Sequence, residues 1–137
     1  MIEKLPEELT TGDAEIDSQH LKFITYLEEL RLCCSHENKK QARLIFVKFL
    51  EHIINHFAFE ELVMLKIQYP IDKFEVHRQE HADLQRCYLE KFRRILSGKF
   101  QVQEVLDIFE DNFYNHLLTS DKEFIDFIQS RQLRIQP

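Results

Sequence analysis

Five histidines and two carboxylates have the residue types and spacing of a shared metal site: His20, His56, Glu60, His77, His81, His116 and Asp121. Two residues four positions apart on a helix lie about one turn apart and about 40° round the axis. His56 with Glu60, and His77 with His81, therefore address the same small volume. Imidazole and carboxylate together suit iron, manganese or zinc, and two carboxylates that can bridge favour a pair of ions. The residue types do not choose among these metals.

A single histidine on an apolar helix face is more often a hydrogen-bonded core residue than a metal ligand. Seven polar side chains in one core are a different case, because each buried polar group costs a few kcal/mol unless it finds partners, and a carboxylate costs more. A metal supplies those partners. We therefore expect one buried metal centre.

Two other histidines, His52 and His36, lie outside this set. His52 precedes His56 by one helical turn and competes with it as a ligand, although the neighbouring Phe57 and Glu60 favour His56. His36 lies in the polar stretch between the first two helices and is expected to be exposed to solvent.

Two carboxylates on the fourth helix, Asp121 and Glu123, are candidates for the last metal ligand. Asp121 is five residues after His116, about 140° round an ideal helix, so spacing alone does not select it. Glu123 lies on the face of His116 but about 10 Å further along the axis, too far to share the same metals. We expect Asp121 to be the ligand, with local unwinding of the helix that turns it inward.

Four long helices are predicted to position these residues. Only two Gly and three Pro interrupt the 137 residues, which leaves little turn chemistry for many short strands. Apolar residues recur every three or four positions in four segments, at about 18–34, 38–66, 73–97 and 102–128. Short connections between long helices favour antiparallel neighbours, which predicts an all-α fold, an up-down-up-down four-helix bundle.

Helix ends are predicted from capping residues. Asp17 is the expected N-cap of the first helix, and Asp72 with Glu75 forms a capping-box-like start for the third. Tyr69-Pro70 forces the chain out of helical conformation after the second.

One domain over residues 1–137 is expected to close its own core, although a bundle formed only on dimerisation is an alternative. In the antiparallel arrangement, the starts of the first and third helices lie near the ends of the second and fourth. All seven candidate ligands then lie at one level of the bundle.

Composition excludes several classes of partner. The net charge is -6, and Lys and Arg form no basic stripe, which argues against nucleic acid and an anionic membrane. The first residues lack the apolar core of a signal peptide, and no run of about 18 apolar residues is present, so the cytoplasm is the expected location. Cys33, Cys34 and Cys87 lack paired zinc-site spacing and are expected to be reduced thiols without a role.

An ordered string of motifs runs from about Gly12 to Ile128. It consists of Ile16-Asp17-Ser18-Gln19-His20, then His56-Phe57-Ala58-Phe59-Glu60-Glu61 with Met64, Tyr69-Pro70, His77 with His81, and His116 with Asp121. This string resembles that of the hemerythrin family in order and spacing. The resemblance implies a cofactor of two non-haem iron ions, cycling between Fe²⁺ and Fe³⁺, with a solvent-derived oxygen bridge.

The resemblance also implies a ligand assignment. One iron would be held by His77, His81 and His116, the other by His20 and His56, with Glu60 and Asp121 bridging the two. The second iron would then be one ligand short, which leaves a place for O₂.

From this resemblance we expect a protein that binds O₂ reversibly for carriage, delivery or sensing, and that is not an enzyme. A diiron enzyme acting on O₂, peroxide or nitric oxide is the alternative, and iron storage is a third. Apolar side chains expected to line the pocket favour binding over turnover: Ile24, Phe59, Phe113 and Leu117. A protein partner, if there is one, is not identified by the sequence.

Overall fold

The computed structural model describes residues 7–98 and 102–135, and within them the chain is helical with short connections and no β-strand. The elements are a 3-10 helix (Glu7–Leu9), α1 (Ala14–Ser35), α2 (Lys39–Lys66), α3 (Ile71–Leu96), α4 (Val102–His116), a π-helical turn (Leu117–Asp121) and α5 (Lys122–Ile135). The last three run on without a break as the fourth helix of the bundle. Each helix packs against the next and α4 packs against α1, which confirms the all-α, up-down-up-down four-helix bundle.

The first helix begins earlier than predicted, and Asp17 is not its N-cap. Asp13 caps α1, and its side chain accepts the backbone N–H of Ile16 at 3.0 Å. Asp17 instead accepts the N–H of Thr11 at 2.8 Å and its hydroxyl at 2.9 Å. The carboxylate at position 17 is thus used to fasten the N-terminal arm to the first turn of α1.

The predicted cap of the third helix is also wrong. Pro70 occupies the N-cap position, no side chain caps the helix, and α3 starts at Ile71, so Asp72 is already inside the first turn. Tyr69 and Pro70 do follow the end of α2, as predicted. The chain turns there at Gln68, which has a positive φ of 59°, and the N–H of Tyr69 reaches back to the carbonyl of Met64.

Two apolar clusters flank the polar level of the bundle. The larger includes Phe23, Phe57 and Phe113, and Phe23 and Phe57 also contact the rings of His56 and His81. The smaller contacts His77 through Phe124. Because aromatic rings surround the histidines on both sides, the side chains at this level are almost completely shielded from water.

The smaller cluster lies at the N-terminal end of α1 and is built without Trp, because the chain has none. Its buried members are Ile16, Met64, Tyr69, Phe74, Phe124 and Ile128.

No helix within the described residues is both long and apolar enough to cross a membrane.

Candidate metal centre

Seven buried histidine and carboxylate side chains meet in two overlapping groups in the bundle core. One group contains Glu60, His77, His81, His116 and Asp121, and the other contains His20, His56, Glu60 and Asp121. Within each group the potential ligand atoms lie within 4.8 Å of one another. We call these the three-histidine and the two-histidine subsite. The structure therefore brings together all seven of the residues singled out in the sequence.

Glu60 directs its two oxygens toward different subsites. Oε1 lies 3.0 Å from Nε2 of His77 and 3.2 Å from Nε2 of His81. Oε2 lies 3.5 Å from Nε2 of His20 and 3.4 Å from Nε2 of His56. A carboxylate in this position has one oxygen for each of two neighbouring cations.

Asp121 has the same division. Its Oδ1 lies 2.7 Å from Nε2 of His77 and 3.0 Å from Nε2 of His116, whereas Oδ2 lies 3.6 Å from Nε2 of His20. The two carboxylates thus span the same pair of subsites from α2 and from the fourth helix.

The π-helical turn explains how Asp121 reaches the site. In a π-helix the hydrogen bonds run from residue i to i+5, so the turn is wider and holds one extra residue. His116 and Asp121 stand at the two ends of this turn and are both buried. Thr119 lies in the turn, and its hydroxyl donates to the carbonyl of Asn115 at 2.7 Å. Asp121 is therefore buried in the site, as expected, and the predicted unwinding takes the form of this turn.

The rival residues lie outside the two groups. His52 is partly buried, and its Nε2–H donates to the carbonyl of Gln19 at 2.8 Å, so that nitrogen is already used. Glu123 is exposed and pairs with Lys73 at 2.7 Å. His36 is exposed, as expected.

Three histidines have a side-chain partner at the outward-facing Nδ1. His81 hydrogen-bonds Glu61 at 3.1 Å, and His56 hydrogen-bonds the amide oxygen of Gln19 at 2.7 Å. Nδ1 of His116 lies 3.3 Å from Glu80 Oε2. At His81 and His56 the hydrogen bond holds the proton at Nδ1, so the Nε2 lone pair points inward, which is the orientation a metal ligand needs.

The carboxylates and histidines of the site shift one another's pKa values. Burial alone would raise the pKa of Glu60, but close contact with His20, His77 and His81 outweighs it and holds that pKa well below its usual range. Burial likewise lowers the pKa of His77, yet contacts with Asp121 and Glu60 raise it to about 9.

The pKa values of His116 and His56 shift in opposite directions, because burial and the nearby carboxylates have opposing effects on a histidine pKa. Burial lowers the pKa of both, but beside Asp121 the pKa of His116 rises to about 10. For His56, desolvation dominates and the pKa falls to about 3. Burial also lowers the pKa of His20, but contacts with Glu60 and Asp121 outweigh it and raise that pKa. The carboxylates thus favour protonation of His20, His77 and His116 in the metal-free site, and metal cations would displace these protons.

A cation fits this site because many of its polar atoms are otherwise unsatisfied. Among the described residues, both ring nitrogens of His20 and His77 and both oxygens of Glu60 and Asp121 are buried without a hydrogen bond of good geometry. Each such atom costs free energy unless it has a partner. Imidazole nitrogen with carboxylate oxygen is a donor set that suits iron.

Part of the apolar lining was predicted and part was not. Ile24, Phe113 and Leu117 are buried in the larger cluster, whereas Phe59 is partly buried against the smaller one. Phe23 was not predicted. It stacks on Phe113 with ring centroids 3.8 Å apart and meets the ring of His56 edge-on.

A buried histidine–carboxylate site in a four-helix bundle defines a class of metal-binding protein, and comparison with known sequences identifies the family. Residues 11–128 match the model of the hemerythrin HHE cation binding domain. The chain belongs to the hemerythrin family.

Individual relatives agree at low identity. The chain is 23% identical over 125 residues to a bacteriohemerythrin of Pseudomonas aeruginosa (strain LESB58), covering 90% of this chain and 79% of that protein. It is also 23% identical over 124 residues to a bacteriohemerythrin of Stenotrophomonas maltophilia (strain R551-3), covering 90% and 80%.

Sequence reasoning missed the residues behind the histidines, Gln19, Glu61 and Glu80. Each directly adjoins a predicted ligand in the chain, namely His20, Glu60 and His81. That adjacency was the available signal. A residue next to an inward-facing one on a helix points about 100° away, toward the neighbouring helix, and only the packing shows what it meets there.

Proposed function

We propose that this chain holds two iron ions in its core and binds O₂ reversibly at one of them, for oxygen carriage, delivery or sensing. One observation carries this proposal: Glu60 and Asp121 each direct one oxygen toward the three-histidine subsite and the other toward the two-histidine subsite. That arrangement suits two cations a short distance apart, because a single cation would leave one oxygen of each carboxylate unbound.

The two subsites offer unequal numbers of ligands. The three-histidine subsite provides three imidazoles and two carboxylate oxygens, and the two-histidine subsite provides two imidazoles and two oxygens. With a shared solvent-derived oxygen, the first would be filled for six-coordinate iron and the second would lack one ligand. The iron pair, when bound, supplies the electrons that O₂ binding requires and recovers them when O₂ leaves.

The chain's own residues favour reversible binding by keeping water and protons away from the two-histidine subsite. His20 is completely buried, and His56 is buried beside Phe23. Phe23 packs in turn on Phe113, and Leu117 lies in the same cluster. An apolar wall of this kind slows proton delivery and so disfavours irreversible oxidation.

The test begins with the metal content of protein loaded anaerobically with Fe²⁺. Two iron ions per chain are expected, and one per chain at saturation would exclude the two-metal centre. The loaded protein is then mixed with O₂ and followed by visible absorption, with metal-free protein as the control. A charge-transfer band should appear with O₂ and disappear when O₂ is removed, with the iron again ferrous.

The other outcomes identify the alternatives. Irreversible conversion to ferric protein on first exposure would exclude oxygen carriage and favour an enzyme acting on O₂. Absence of any new band, with iron bound, would point to storage or a structural role.

A further inference from the structure

The two subsites differ in what lies behind their histidines. In the three-histidine subsite, Nδ1 of His81 hydrogen-bonds Glu61 at 3.1 Å, and Oε2 of Glu80 lies 3.3 Å from Nδ1 of His116, an ion-pair contact without hydrogen-bond geometry. In the two-histidine subsite, His56 has only the neutral amide oxygen of Gln19, at 2.7 Å.

The remaining two histidines, His20 and His77, differ from these three at Nδ1. Within the described part of the chain, Nδ1 of His20 and Nδ1 of His77 are buried without a hydrogen bond, and the carboxylate contacts of these two rings are at Nε2. Among the residues that the structure describes, outer carboxylates at Nδ1 are thus found only in the three-histidine subsite.

Helix packing produces this division. Glu61 on α2 reaches across to α3, and Glu80 on α3 reaches across to the fourth helix. The side chain of Glu61 is 22% exposed and that of Glu80 is 41% exposed, so both sit at the rim of the core where a carboxylate can remain hydrated on one side. Gln19 reaches from α1 to α2, and its amide N–H is itself held by Glu15 at 3.0 Å.

A carboxylate behind a histidine has two effects on a metal ligand. It fixes the ring with the proton on Nδ1, and its negative charge makes Nε2 a stronger donor to the metal. An amide oxygen fixes the ring in the same way but adds no charge. The three-histidine subsite has one more histidine than the other, which alone should give it the higher metal affinity. The outer carboxylates should make the difference in metal affinity larger still.

We propose that Glu61 and Glu80 are positioning residues that make the three-histidine subsite the tighter one, so that the metal centre fills in a fixed order, with this subsite first. The inference rests on the proposed two-metal centre. It adds the order of assembly and the residues outside the ligand set that determine it.

The experiment is an anaerobic titration of the metal-free full chain with Co²⁺ alone, followed by visible absorption and by competition with a chelator. Cobalt is useful because its ligand-field bands are weak when it is six-coordinate and stronger when it is five-coordinate. The unmodified chain should take up two equivalents in two separate steps, and the stronger bands should grow mainly in the second.

Three variants and a control test the role of the outer residues. Glu61→Gln and Glu80→Gln should each weaken the first step by about 10–100-fold and bring the two steps closer together. Gln19→Glu should bring them closer by strengthening the second step. Glu75→Gln makes the same chemical change on α3 at an exposed side chain paired with Arg78, and should leave both steps unchanged.

The spacing between the two steps separates a positioning role from a structural one. A variant that merely loosened the fold would weaken both steps together, and that result would overturn the inference. Unchanged steps in Glu61→Gln and Glu80→Gln would also overturn it, while leaving the two-metal centre intact. Uptake of only one equivalent by the unmodified chain would instead remove the two-metal centre, and the inference with it.

Discussion

At the residue scale, His52 and His56 differ by one helical turn and have quite different surroundings. His56 is buried, its Nε2 faces Glu60 and its Nδ1 is held by Gln19. Nε2 of His52 is occupied by the backbone carbonyl of Gln19. Ring orientation, set by the partner of each nitrogen, is what distinguishes a candidate ligand from a histidine that supports the packing of α1 on α2.

We predict that His56→Ala reduces binding from two metal ions per chain to one, because the two-histidine subsite then keeps only one imidazole. His52→Ala should retain two ions and lose stability by about 1 kcal/mol, the typical value of one hydrogen bond. Metal analysis after gel filtration and denaturant unfolding measure the two effects. Equal loss of metal in both variants would show that the assignment of His56 is wrong.

At the element scale, the π-helical turn is the feature that makes the fourth helix serve the site. It places Asp121, five residues after His116, where an ordinary helix would place a residue four positions on. The side chains of Leu118 and Thr119 in the turn are exposed, so the extra residue is accommodated on the outer side.

We predict that deleting Thr119 converts the turn to regular α-helix and preserves metal binding, because Asp121 would then follow His116 at the i, i+4 spacing. Inserting one Ala after Thr119 should abolish binding at both subsites, since it rotates Asp121 by about a further 100°. Circular dichroism controls for loss of the helix itself. Loss of metal in the deletion variant would mean that the π-turn sets the position of Asp121 more tightly than helix spacing requires.

At the scale of the whole molecule, the candidate metal centre joins all four helices. Its seven side chains come from α1, α2, α3 and the fourth helix at one level, between the two apolar clusters. The polar atoms left unsatisfied there weaken the metal-free fold.

Metal binding should therefore raise the melting temperature of the whole bundle. With free metal at about 100 times its Kd, the stabilisation is about 2.7 kcal/mol, or on the order of 10 °C for a chain of this size. Thermal melts followed by circular dichroism, with and without a chelator, measure the difference. Glu60→Ala removes an oxygen from both subsites and should abolish most of the shift. Coincident melts for metal-free and loaded protein would contradict the prediction.

The amino-acid sequence by itself predicted the fold class and the seven side chains that meet in the core. Helical periodicity is a local property, and a histidine or carboxylate on an apolar stripe is visible without knowing its neighbours. The apolar stripes of α1 and α2 are local in the same sense, and the residues on them are buried, among them Ile24, Leu27, Ile53 and Phe57.

Only the tertiary structure decided the features that depend on contacts between elements. Asp17 has the residue type of a cap, but Thr11 competes for it and Asp13 caps the helix. The inward turn of Asp121 requires a local change of helix type whose cost is offset by the site itself. The partners of the outward ring nitrogens come from neighbouring helices, and the packing of those helices determines which residues they are. The periodicity of a single helix carries no information about that packing.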